Sequence, residues 1–302
     1  MSPETLSPDW AWYLVPMYYF IGGVSAGAYF IGSLVELFGK DDEQHCELSR
    51  VAYYIAFPLI LITPILLIAD LGRPERFWHL FFYVNGGIPY INLQSPLSVG
   101  SWALLLYGAM TFLSFLDNLV AAERIRFAPF AALYNRIPRK LYALVGSLTG
   151  FFVASYTGVL VNTTARPLWA ATSPLLGALF VVSAGSTGAA AIVLVMVFRK
   201  MMKGEVFEQL ETFDRVAMIV EIVLIVVMIV IAGQFAAPLL TGPYALMFWG
   251  GTVLVGIFVP LALNWYTRRP DATRSGLVTL TAVLILFGGA LLRISLVQAG
   301  QV

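Results

Sequence analysis

Long apolar runs alternate with short polar joints along this whole chain. Eight of the runs reach the roughly 20 residues that a helix needs to cross a bilayer core. They extend from about Tyr13 to Phe38, Val51 to Ala69, Leu97 to Leu116, Leu141 to Val161, Leu175 to Phe198, Val216 to Ala236, Tyr244 to Tyr266 and Gly276 to Val297. Eight crossings return both termini to one side. One joint differs from the rest. Asp70 to Pro96 is far richer in polar and aromatic residues than its flanks, and its opening Asp70-Leu71-Gly72-Arg73-Pro74-Glu75-Arg76-Phe77-Trp78 follows an uncharged run, Val51 to Ala69.

Composition turns this pattern into a class. Only 12% of the 302 residues are charged and the mean hydropathy is +0.83, whereas soluble domains carry about 25% charged residues. The expected fold class is all-α, a polytopic membrane protein. The first run is too long for a cleaved leader and reads as its own insertion signal. A net charge of +1 gives no field for nucleic acid. A single cysteine, Cys46, excludes an internal disulfide and a cysteine-ligated cluster within the chain.

Loop charge sets the orientation. Fourteen lysines and arginines, among them Lys40, Arg50, Arg124, Arg126, Arg136, Arg139, Lys203, Arg268, Arg269 and Arg274, follow helices 1, 3, 5 and 7. The opposite loops hold Arg73, Arg76 and Arg166. Both termini and the Asp70–Pro96 joint are therefore expected on the periplasmic side of a cytoplasmic (inner) membrane. His45 and His79, the only histidines, fall on opposite sides and cannot share one haem. The halves echo each other: Arg50-Val51-Ala52 with Leu59-Ile60 recurs as Arg215-Val216-Ala217 with Leu224-Ile225, and Ser25-Ala26-Gly27-Ala28 has a relative in Ser186-Thr187-Gly188-Ala189. A repeat of this kind runs parallel and predicts two four-helix bundles, over residues 13–161 and 175–297, joined by an outer linker over 162–174. At the same offset Asp70 becomes Phe235, which assigns the chemistry to the first bundle.

Depth along the helices selects the candidate site. Tyr18, Tyr156 and Asp70 all fall within about 8 Å of the outer boundary at 1.5 Å per residue. Two phenols and a carboxylate at one level suit a small molecule with two polar ends and an apolar body, as a quinone has. Tyr18 and Tyr156 are candidates to hold the ring oxygens, and Asp70 or His79 to exchange protons. Each has a bland reading beside it: tyrosines favour interfaces, Asp70 can pair with Arg73 or Arg76, and His79 can be a plain loop residue. The spacing of Gly23 and Gly27 in helix 1 speaks for close helix packing. Glu36, Glu221 and Arg293 lie inside the apolar runs, where charges default to functional hypotheses, and form a possible proton path. Arg293 has two further readings, pairing with Asp70 or snorkelling outward.

The Asp70–Trp78 string, with Ser95-Pro96-Leu97-Ser98-Val99-Gly100-Ser101-Trp102, Tyr156-Thr157-Gly158-Val159-Leu160 and Arg166-Pro167-Leu168-Trp169, resembles the NrfD/PsrC-like quinone-reactive membrane subunits of the polysulfide-reductase type. That resemblance implies two four-helix bundles without haem or metal, and a menaquinone or ubiquinone site in the first bundle, falling on Tyr18, Asp70 and Tyr156. It also implies an iron-sulfur (ferredoxin-like) partner on the periplasmic face and a molybdopterin-type catalytic subunit behind it. Some members have an asparagine and a histidine about where Val15 and Tyr18 stand. A phenol is a poor proton acceptor near neutral pH, which moves the proton role to Asp70 or His79.

The leading expectation is a membrane-anchor subunit of a respiratory oxidoreductase complex, exchanging electrons and protons between a quinone and the iron-sulfur subunit, with substrate chemistry in a partner chain. The alternatives are a secondary transporter with an intramembrane Glu/Arg path, and a purely structural anchor.

Overall fold

The structure is a computed structural model that describes residues 13–40, 42–85, 88–122, 124, 139–164, 166–202, 204–266 and 274–302. Eight helices long and apolar enough to cross a membrane are present among these residues. They are α1 Leu14–Phe38, α2 Glu43–Ala69, α3 Pro96–Ala121, α4 Arg139–Asn162, α5 Leu175–Phe198, α6 Glu205–Ala232, α7 and α8 Arg274–Ala299. Helix α7 starts as a π-wound segment, Leu246–Phe258, and ends as an α-helix, Val259–Tyr266. The expected all-α polytopic membrane fold is observed. Arg126, Arg136, Lys203, Arg268 and Arg269, on which the loop-charge argument leans, lie outside the described residues.

Two helices start earlier than hydropathy alone predicts. Helix α2 begins at Glu43 because Asp42 caps it, its carboxylate accepting the His45 backbone N–H at 2.9 Å. Helix α6 begins at Glu205, ahead of the purely apolar run, since Val206, Phe207 and Leu210 bury themselves against the rest of the protein. Hydropathy finds the part of a helix that lies in lipid, and these extensions leave it.

Helices α1 to α4 close one four-helix group, in which α1 packs on α2 and α4, and α3 on α4 and α2. In the second, α5 packs on α6 and α8, and α7 on α8. The groups meet mainly along α1 and α5. There a Cβ on Gly27 would lie 1.8 Å from the Ala184 carbonyl oxygen, and one on Gly188 would lie 2.7 Å from Gly27 Cα. The two glycine strings that echo each other in the sequence thus touch, backbone to backbone.

We call the face where α1 begins and α8 ends the terminal face, and the opposite one the far face. On the terminal face, residues after α2 form a 3-10 helix, Pro74–Leu80, and an antiparallel ribbon, β1 Tyr83–Asn85 with β2 Ile88–Tyr90, in which Tyr83 stands opposite Tyr90. Trp102 of α3 ties it down, donating its indole N–H to the Phe81 carbonyl at 3.0 Å with its ring edge-on to Phe81 and Phe82. The short helix Pro167–Ala171 docks similarly: Trp169 donates its indole N–H to the Leu296 carbonyl at 2.9 Å.

Candidate functional site

Near the terminal face, the first helix group leaves a cleft of about 450 Å³ counted out to its open side. Tyr18 and Gly22 line it from α1, Thr63 and Leu67 from α2, Gly100 and Leu104 from α3, and Tyr156 from α4. Its lining carries hydroxyls but no charged side chain among the described residues. The rest of the surface is apolar, the composition expected for a ligand with a greasy body and a few polar atoms.

Local sequence explains how the phenols reach it. Ser95 caps α3 by accepting the Ser98 N–H at 3.4 Å, and Pro96 occupies the first turn, where its missing N–H is not needed. This places Gly100 one turn along, and a Cβ there would lie 2.2 Å from Tyr156 Cζ. Only glycine leaves room for that ring. The Tyr156 hydroxyl then donates to the Pro96 carbonyl at 2.6 Å. Tyr18 is buried beside Tyr19, with ring centroids 4.4 Å apart. Both phenols lie within electrostatic range of Tyr156 and Asp70.

Asp70 terminates α2 three residues beyond Leu67, half-exposed at the terminal face and outside the lining of the cleft. Partial burial holds its carboxyl above the usual carboxylate range. Among the described residues it makes no ion pair with Arg73, Arg76 or Arg293. His79 is exposed on the 3-10 helix and stacked on Trp78, centroids 3.7 Å apart. Geometry therefore brings Tyr18 and Tyr156 together, leaves Asp70 at their edge, and keeps His79 on the surface.

The three intramembrane charges do not form one path. Glu36 belongs to the far end of the first group, where Arg139 Nε stands 3.0 Å from its carboxylate and 2.7 Å from that of Asp117. Arg293 neither pairs with Asp70 nor snorkels. It is buried between the groups, donating to Ser183 Oγ at 3.0 Å and to the Gly289 carbonyl at 2.8 Å, with its guanidinium over the Phe180 and Phe20 rings at 5.3 and 5.9 Å. Glu221, also buried, faces Ser183 and this guanidinium from α6. Asp214 lies two turns before it and accepts from Ser186 Oγ at 2.7 Å.

Sequence reasoning misses Asp214, Asp117 and several phenols in mid-span. A signal was available for the phenols. Tyrosine is expected at interfaces, so Tyr29, Tyr53 and Tyr107, all fully buried, are out of place in helices that cross lipid.

Comparison with known proteins adds to this geometry. The family model described as polysulphide reductase, NrfD, matches residues 4–302. A polysulfide reductase chain of Wolinella succinogenes is 28% identical over 97% of the present chain and 94% of its own length. An NrfD homolog of Haemophilus influenzae is 27% identical over 98% and 96%. A selenate reductase subunit of Mesobacillus selenatarsenatis is 31% identical over a shorter region, 35% of the present chain and 22% of its own.

Proposed function

Because this chain belongs to the polysulphide reductase NrfD family, we propose that it is the quinone-reactive membrane subunit of a multi-subunit oxidoreductase. The coarser part of that statement, a multi-pass membrane subunit of an oxidoreductase complex, follows from the relatives and the eight spans together. The finer part rests chiefly on one observation: an apolar cleft with Tyr18 and Tyr156 both in its walls, beside Asp70.

The residues present fit a quinone. Its ring needs apolar walls, which α2, α3 and α4 supply, and a donor for each oxygen, which the two phenols supply once Tyr156 turns its O–H from the Pro96 carbonyl to the ligand. When bound, a quinone provides two-electron, two-proton redox chemistry. In this reading Tyr18 and Tyr156 orient the two oxygens, and Asp70 exchanges protons with the medium at the mouth of the cleft. His79 belongs with the surface around it, which carries Phe77, Trp78, Tyr83, Ile88 and Leu93 exposed. That aromatic and apolar platform is where the iron-sulfur partner docks, with a molybdopterin-type catalytic subunit beyond it. The terminal face is then periplasmic, and the membrane is the cytoplasmic one.

The test uses the intact complex. Asp70→Asn and Tyr156→Phe should each lower quinol-coupled turnover by about 100-fold, the lower range for a positioned acid–base group. Assembly should stay normal. Wild-type rates in both variants would remove the quinone from this cleft. The reading as a transporter with a Glu36–Glu221–Arg293 path loses support from the separation of Glu36 from the other two.

A further inference from the structure

We propose that the far face carries a binding site for an anionic phospholipid. Arg50 of α2, Arg124 just beyond α3 and Arg199 at the end of α5 hold its head group, and a furrow between α2 and α3 takes an acyl chain. The site is independent of the quinone reading, since it stands at the opposite membrane face and involves no redox step.

Sequence spacing builds it. Along α2, Arg50, Tyr54, Phe57 and Leu61 recur at intervals of three and four residues and so share one face. Along α3, Gly108, Phe112 and Phe115 do the same. The two stripes meet. Tyr54 stands edge-on to Phe115 with centroids 5.4 Å apart, and Phe57 lies 4.8 Å from Phe115 and 5.3 Å from Phe112. The Tyr54 hydroxyl donates to the Asn118 carbonyl at 3.4 Å, which ties α2 to the last turn of α3.

Arginine gathers around this phenol. Its leading charged neighbours are Arg50, Arg199 and Arg124 against one carboxylate, Glu47. Three guanidiniums over one carboxylate leave an excess of two positive charges. Glu47 pairs with Arg50 through one oxygen and lies 3.6 Å from Arg199 through the other, so a single carboxylate sets two guanidiniums side by side. Arg124 is exposed and makes no ion pair among the described residues. Its backbone N–H closes onto the Leu119 carbonyl at 3.0 Å, which holds it at the end of α3. Elsewhere on this face Lys40 meets Glu205 at 2.8 Å and Arg139 takes both Glu36 and Asp117, so those cations are already matched.

Depth suits a lipid phosphate. Arg50 precedes the apolar run that opens at Val51, and Arg199 follows the one that closes at Phe198. Tyr54 lies about 5 Å inside that boundary at 1.5 Å per residue. Guanidinium forks match phosphate oxygens in pairs, and basic pockets between membrane helices hold anionic head groups. Beneath the arginines the surface turns apolar. Phe112 and Leu61 are exposed, and a Cβ on Gly108, one turn from Phe112 toward the terminal face, would meet nothing within 4 Å. An acyl chain descending from the head group thus runs over aromatic rings into unfilled space.

The test is native mass spectrometry, with a thermal unfolding scan beside it, of the intact complex delipidated in mild detergent. The probes are cardiolipin, phosphatidylcholine and inorganic phosphate. Cardiolipin should bind with one tight equivalent per copy of this chain and raise the unfolding midpoint, and phosphatidylcholine should do neither. A basic side chain near an anionic lipid surface is worth about fivefold in affinity. Arg124→Gln should therefore weaken cardiolipin about fivefold, and Arg50→Gln with Arg199→Gln about 25-fold. Arg124 is exposed, so its variant reports on the site even if the double variant folds poorly. Lys40→Gln, on the same face but matched by Glu205, should leave the affinity unchanged. Unchanged affinity in the arginine variants overturns the site, as does equal weakening by Lys40→Gln, which would reduce the effect to overall surface charge. Phosphatidylcholine bound as tightly as cardiolipin overturns the selection for an anion. A midpoint raised as far by inorganic phosphate overturns a lipid as the occupant.

Discussion

Gly100 and Tyr156 occupy each other's space: the position a Cβ would take on Gly100 is 2.2 Å from Tyr156 Cζ and 2.4 Å from its hydroxyl oxygen. The glycine is therefore part of how the phenol is aimed. Gly100→Ala should push the ring out of the cleft, and a misplacement of about 1 Å can cost a site 100-fold. Turnover with quinol is expected to fall by at least 10-fold, with the complex still assembled. Combining Gly100→Ala with Tyr156→Ala relieves the clash, so thermal stability should recover while turnover does not. A Gly100→Ala complex with wild-type kinetics would show that the position of Tyr156 is irrelevant.

Partial burial raises the Asp70 carboxyl above its ordinary value, and this fixes the sign of a pH effect. A proton acceptor must be ionised, so turnover in the quinol-oxidising direction should fall as pH drops through the raised value. The acid limb should therefore begin at higher pH than for a fully solvated aspartate. In Asp70→Asn that limb should vanish along with most of the rate. Rate–pH profiles of the two proteins between pH 4 and 8 make the comparison. An acid limb that survives in the variant belongs to some other group.

Arg293 is wholly buried against Ser183 and two phenylalanine rings, with Glu221 opposite. Removing one charge strands the other in a low-dielectric interior, which costs about 3–5 kcal/mol. Arg293→Met should accordingly lower the unfolding midpoint in mild detergent strongly. Arg293→Met with Glu221→Leu should recover most of the loss, because an apolar replacement of a whole buried pair is often neutral. Additive losses in the double variant would mean that the two side chains do not interact.

Legibility from the sequence differs from element to element, for physical reasons. The spans are legible because lipid imposes a length and a polarity on every crossing helix, and Leu175–Phe198 is recovered to the residue. The α2 and α6 extensions are not, since they leave the lipid and are held by the Asp42 cap and by burial of Phe207. Depth brings out Tyr18 and Tyr156 because both belong to one level of the membrane. It cannot tell which side of a helix a residue occupies, and so cannot distinguish Asp70 at the rim from a group in the wall. Arg293 is misread for the same reason, its true neighbours, Ser183 and Gly289, being set by how α5 and α8 meet.

The platform on the terminal face yields a prediction about assembly. Ile88 and Leu93 are 71% and 78% exposed, and they belong to the polar joint between α2 and α3, outside the lipid-crossing spans. Exposed apolar side chains on the spans are covered by lipid; here they form a patch of the kind that marks a protein interface. Trp102 anchors the ribbon from within, so the patch is presented on a fixed support. Ile88→Glu with Leu93→Glu should leave the fold intact, since exposed changes away from packing shift stability by about 0.5 kcal/mol or less. Partner retention should respond quite differently. Loss of interface anchors typically costs 2 kcal/mol or more, about 30-fold in affinity. The iron-sulfur partner should then be lost on purification in mild detergent from the double variant and kept in wild type. Retention at wild-type stoichiometry would move the docking surface elsewhere on the terminal face.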